Sequence, residues 1–115
     1  MILNVTAQET VDTLATQSML VVFLLAITYG PIVEELVFRK ALSQIIRNDI
    51  VFAVLSIVLF GLWHEGVSVG SIATMVTGTC FTIAYLRTGK NVVAAIVAHF
   101  TSNLGAMLLM MLFGI

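Results

Sequence analysis

The sequence predicts an all-α polytopic membrane protein, a four-transmembrane-helix bundle forming a single domain over residues 1–115, and three observations carry this. The 115 residues are 60% hydrophobic and 10% charged, against about 25% charged in soluble domains. Mean hydropathy is +1.12. The five basic and six acidic residues cannot clothe a domain of this size for water, and they are placed so as to leave four charge-poor stretches, 13–33, 50–64, 66–86 and 91–115.

These stretches predict helices at roughly 14–46, 49–66, 69–87 and 91–113. A bilayer core of about 30 Å needs roughly 20 helical residues, which the third and fourth stretches supply. The apolar run 50–63 would cover only about 21 Å, so the second helix must continue through His64 and Glu65 or end short of the far interface. The first helix is expected to run past Pro31 and Glu34 to about Ile46, with Gly30-Pro31 as a kink rather than an end. Arg47-Asn48-Asp49 and Thr88-Gly89-Lys90-Asn91 read as short polar turns joining antiparallel helices. Small residues four apart, Gly66, Gly70, Thr74, Gly78 and Thr82 on the third helix and Ala94, Ala98, Ser102 and Ala106 on the fourth, predict close helix packing.

All five basic residues, Arg39, Lys40, Arg47, Arg87 and Lys90, fall in or beside the first and third turns. The positive-inside rule then places those turns in the cytoplasm and both termini outside, with Glu9 and Asp12 on the outer segment. A net charge of −1 and the lack of a basic run exclude nucleic acid as a partner. Cys80, the single cysteine, reads as a small packing residue, and no signal-peptide pattern opens the chain.

Six polar residues stand out against this background: Glu34, Glu35, His64, Glu65, His99 and Asn103. An acidic group at mid-bilayer costs about 3 kcal/mol on insertion scales. Taken singly each has a bland account. Glu34, Glu35 and Arg39 fit a helix end snorkelling to headgroups, His64 and Glu65 fit an outer interface beside Trp63, and His99 with Asn103 fits an interhelical hydrogen-bond pair. One converging polar site explains them together. Glu35 and Arg39 are four apart and can pair on one face, leaving Glu34 free, while Phe60 with His64 and His99 with Asn103 repeat that spacing on two other helices. A carboxylate beside an imidazole can take a proton from water, and a second imidazole with an amide can donate to an oxyanion, so hydrolysis is the chemistry expected. The serines lack a GxSxG elbow. Zinc held by a His/His/Glu set is the alternative, although no HExxH motif is present. A non-catalytic membrane immunity or binding protein is the other.

In chain order the motifs are Glu-Glu-x-x-x-Arg (Glu34, Glu35, Arg39), Phe-x-x-x-His (Phe60, His64) and His-x-x-x-Asn (His99, Asn103). This pattern resembles the CPBP family of intramembrane proteases, also called the Abi or CAAX protease family, which includes Ras-converting CAAX endopeptidases and bacterial bacteriocin-processing and immunity proteins. The resemblance implies a glutamic endopeptidase of the membrane, without a metal or other cofactor, acting on a membrane-associated peptide or protein and located in the cell membrane of a prokaryote. It implies Glu34 as general base on water with help from His64, and His99 with Asn103 as the oxyanion hole. Glu35 and Arg39 would be the supporting ion pair, and Phe60 would shape the pocket wall.

Overall fold

The computed structural model describes residues 2–114, with side chains described from residue 7 onward. It is all-helical over these residues. α1 (Ile2–Glu35) passes without a break into a π-helical segment (Leu36–Ala41) and the short α2 (Leu42–Ile45), and α3 (Asp49–Glu65), α4 (Gly70–Arg87) and α5 (Val92–Phe113) follow. The first helix begins at Ile2 rather than near residue 14, and Pro31 lies inside it, fully buried. Gly30-Pro31 is thus not an end of the helix.

Local sequence sets the other boundaries. Asn48 caps α3, its Oδ1 accepting from the backbone N–H groups of Ile50 and Val51, and Asn91 caps α5 through Val93 N–H. Gly89, at φ +72°, follows the last turn of α4, and Lys90 N–H donates back to the Tyr85 carbonyl at 2.9 Å, as in a Schellman-type ending.

Two segments are long and apolar enough to cross a bilayer, Ala7–Ile45 and Val92–Phe113. α3, at 17 residues, and α4, at 18 with four threonines and two glycines, fall below that standard on length or composition. Residues 7–26 of α1 are exposed throughout. This unpacked length stretches the molecule to 67 × 26 × 25 Å and its radius of gyration to 18.3 Å, where a compact domain of this size has about 13 Å.

Packing is concentrated where the four helical rods meet. At the end carrying the 46–48 and 88–91 turns, Phe52, Tyr85 and Ala95 form an apolar cluster covered by Leu42, Ile46, Leu86 and Val92. Ser43 and Tyr85 share a buried hydroxyl–hydroxyl hydrogen bond of 2.7 Å there. α3 and α4 approach most closely at Gly61, where an added Cβ would come 2.9 Å from the Ser71 carbonyl oxygen, and at Gly78, where it would come 2.8 Å from Phe60 Cδ1. The small-residue ridge of α4 thus works through Gly78 and the buried Thr82, while Gly66 lies in the α3–α4 turn and Gly70 is exposed. On α5 the buried residues are Ala95 and His99, one position round from the expected Ala94–Ala98–Ser102–Ala106 ridge.

The π segment has a geometric role. Pro31, Glu35, Arg39 and Ser43, each four residues after the last, are all buried. In an ideal α-helix that spacing drifts by about 40° per step. The wider π turn, in which Leu42 N–H reaches the Val37 carbonyl, takes up the drift and keeps these side chains facing α4 and α5. Ser56 of α3 donates to the Phe38 carbonyl at 2.7 Å, tying a carbonyl within this segment to its neighbour helix.

Candidate active site

Glu35 and Arg39 are both fully buried, with Arg39 Nε 3.2 Å from Glu35 Oε1. Such a pair is held by the further contacts of its polar atoms, although Arg39 Nη1 is buried with no hydrogen-bond partner among the described residues. Arg39 Nη2 donates to the Gly78 carbonyl at 2.8 Å, and the missing side chain of Gly78 leaves room for the Phe60 ring beside it. The Phe60 and Phe81 rings flank the guanidinium, their centroids 4.6 and 5.8 Å from Cζ.

The other oxygen of Glu35 holds His99. Nδ1 of His99 lies 2.9 Å from Glu35 Oε2, and the ring stacks on Phe81 at 4.4 Å with an interplanar angle of 15°. An ion-paired carboxylate accepts, so Nδ1 carries the proton and Nε2 is turned away from Glu35. It faces Glu34, whose Oε2 is 3.4 Å distant.

Glu34 Oε2 is also 3.1 Å from His64 Nε2. His64 Nδ1 lies 2.8 Å from the Phe60 carbonyl oxygen. That oxygen can only accept, so Nδ1 is again the protonated nitrogen, and Nε2 is the nitrogen turned to Glu34 Oε2. Phe60, 2% exposed, sits beneath both imidazoles, with ring centroids 4.3 Å from His64 and 5.7 Å from His99.

An unbroken chain of contacts therefore runs from the Gly78 carbonyl through Arg39, Glu35, His99 and Glu34 to His64 and the Phe60 carbonyl. Its accessible end, Glu34 and His64 with side chains 25% and 27% exposed, opens on a cavity of about 370 Å³. His99, Asn103, Ser102 and Thr77 also line it. The space is many times what one water needs. Asn103 makes no hydrogen bond to the described residues, so its amide is available to a bound group.

The seven residues of the three motifs, Glu34, His64, His99 and Asn103 with Glu35, Arg39 and Phe60, thus gather at this one place. Glu34 is not the unpaired acid that spacing suggested, since two imidazoles meet it. Glu65 lies apart: its carboxylate reaches over Gly70 at the start of α4, where the helix N-terminus favours negative charge. Sequence reasoning passed over Phe81, Thr74 and Thr77 of α4, whose residue types give no signal beyond helix packing. Among the described residues no group of three or more His, Cys, Asp or Glu is disposed to hold a metal ion.

Two long apolar helices and a carboxylate–imidazole–amide cluster set among the helices are the features of a membrane protein with a polar interior site. A family model described as Type II CAAX prenyl endopeptidase Rce1-like matches residues 16–105, a span that takes in every residue of the cluster. The chain belongs to this family of membrane CAAX endopeptidases. No curated protein and no solved structure matched it.

Proposed function

We propose that this chain is an intramembrane endopeptidase that hydrolyses a peptide bond with a water activated by Glu34. The observation that carries the reading is the meeting of Glu34 Oε2 with His64 Nε2 and His99 Nε2, at 3.1 and 3.4 Å, on the wall of a cavity shared with Asn103. A water beside Glu34 loses its proton to the Glu34–His64 pair as its oxygen attacks the scissile carbonyl carbon. The oxyanion that forms accepts hydrogen bonds from the Asn103 amide and from His99 Nε2 in its protonated form. Collapse breaks the C–N bond, and the proton held by the Glu34–His64 pair passes to the departing nitrogen.

Family membership supports a membrane-anchored peptide as substrate, with a prenylated CAAX terminus as the first candidate and a bacteriocin-type peptide as the second. In the membrane we place all four helical rods across the bilayer, with the basic 46–48 and 88–91 turns cytoplasmic and both termini outside. His99 then lies about 10 Å along α5 from the cytoplasmic end, and Glu34 about 16 Å along the first helix, so hydrolysis takes place within the bilayer.

The test is cleavage by the purified chain in detergent of a peptide ending in a prenylated CAAX sequence and of its unprenylated twin. Release of the terminal tripeptide from the prenylated form is expected. Intact peptides after prolonged incubation with folded protein would overturn the prenyl-substrate assignment. A zinc enzyme would instead lose its activity to a strong chelator. A non-catalytic immunity protein would keep its protective phenotype with Glu34→Gln and His99→Ala.

A further inference from the structure

A second polar pocket, of about 300 Å³, lies at the basic end of the bundle, away from the Glu34 cavity. Lys40, Ser43, Gln44, Arg47, Tyr85 and Lys90 line it, so three of the chain's five basic residues converge there. Lys90 makes a 3.1 Å ion pair with Asp49. Lys40 and Arg47 make none with the described residues. Glu34 and Glu35 are engaged with Arg39, His64 and His99, and Asp49 is the only described acid that pairs with a lining residue, so the pocket keeps uncompensated positive charge. Ser43 Oγ donates to the Lys40 carbonyl at 3.0 Å and accepts from the Tyr85 hydroxyl at 2.7 Å, so these two form a buried polar floor whose protons are already placed, and the charge of the pocket comes from its basic side chains.

Lys90 is held here by the backbone. It is the one non-glycine residue with positive φ among those described, at +62°, and its N–H is bonded to the Tyr85 carbonyl. A left-handed lysine is a costly conformation, and such positions concentrate where a side chain must be presented in one direction.

We propose that this pocket binds the phosphate of an anionic phospholipid headgroup. Arg47 and Lys40 supply charge-assisted hydrogen bonds to the phosphate oxygens. A lipid is favoured over free phosphate because the cations sit on an apolar stalk: Val37 and Val33, about one and two turns before Lys40, are 53% and 57% exposed, and Ile45 and Ile50 beside the 46–48 turn are each 77% exposed. These side chains are placed to meet acyl chains while the basic groups meet the headgroup.

The experiment is native mass spectrometry of the delipidated full chain titrated with phosphatidylglycerol or phosphatidylcholine, for wild type, the Lys40→Gln/Arg47→Gln double variant and Arg87→Gln. Both substituted positions of the double variant are exposed, and helicity by circular dichroism checks its fold. The wild type should retain phosphatidylglycerol over phosphatidylcholine, and the double variant should bind it about thirtyfold more weakly, the combined effect of two basic groups beside an anionic headgroup. Arg87→Gln, which alters the same end but not the pocket, should bind as the wild type does. Equal weakening by Arg87→Gln, or no preference between the two lipids, would overturn the proposal. Displacement of bound phosphatidylglycerol by millimolar inorganic phosphate would show a free-phosphate site and overturn the lipid assignment, whereas retention supports it.

Discussion

His99 Nδ1 lies 2.9 Å from Glu35 Oε2, with the histidine side chain 6% exposed and the carboxylate fully buried. The imidazole that faces the cavity is thus oriented from behind by the carboxylate that neutralises Arg39. Glu35 thus joins Arg39 to His99.

That joining makes a non-additive prediction. Glu35→Ala leaves Arg39 buried without its counter-charge and should cost about 3–5 kcal/mol of stability, as should Arg39→Ala in the converse sense. Replacing both by methionine removes both buried charges and should recover much of the loss, yet cleavage should stay depressed by about 10- to 100-fold because His99 has lost its partner. Thermal unfolding in detergent and peptide turnover on the same samples read the two effects separately. A double variant as unstable as either single change would show that the pair does not act as a unit.

Asn103 gives the opposite pattern. Since it bonds to no described residue yet lines the cavity, Asn103→Ala should leave the melting temperature nearly unchanged. Its kcat should fall by about 10²–10³, the usual loss when one oxyanion donor is removed, with KM little altered. A stability loss with normal kcat would mark Asn103 as a packing residue.

Gly78 is where close helix approach meets the site. A Cβ there would press on Phe60 Cδ1 at 2.8 Å and stand 3.5 Å from Arg39 Nη2. Gly78→Ala should therefore cost about 1–3 kcal/mol and lower activity, since Phe60 lies beneath both imidazoles. Gly105→Ala, which meets nothing within 4 Å, is the matched control and should melt as the wild type does.

Metal dependence separates water activated by a carboxylate from water activated by zinc. Incubation with a strong zinc chelator followed by dialysis should leave turnover unchanged, and elemental analysis should find zinc well below one equivalent. Loss of activity that returns on adding zinc would replace the glutamic mechanism.

The convergence of the polar cluster was readable in the sequence because ionisable groups in apolar helices are costly, so Glu34, Glu35, His64 and His99 stand out from their neighbours. Spacing by four then paired Glu35 with Arg39. What stayed hidden depends on tertiary packing. No local signal marks the π segment, which follows from burying Pro31, Glu35, Arg39 and Ser43 together. Phe81 and Gly78 look like ordinary residues of α4 until Arg39 and His99 are set against them. The contact between Glu35 and His99 joins positions 64 residues apart. Glu65 stood out for the same reason as Glu34, but its place at the start of α4 shows that a conspicuous acid can serve a helix end.

Activation of the water by the Glu34 carboxylate is tested most directly by turnover of the prenylated peptide by Glu34→Gln. The amide keeps the size of the side chain but cannot take a proton, so cleavage should fall to the uncatalysed background while the melting temperature and helicity stay close to wild type. Turnover within a few-fold of wild type by the folded Glu34→Gln protein would contradict the account.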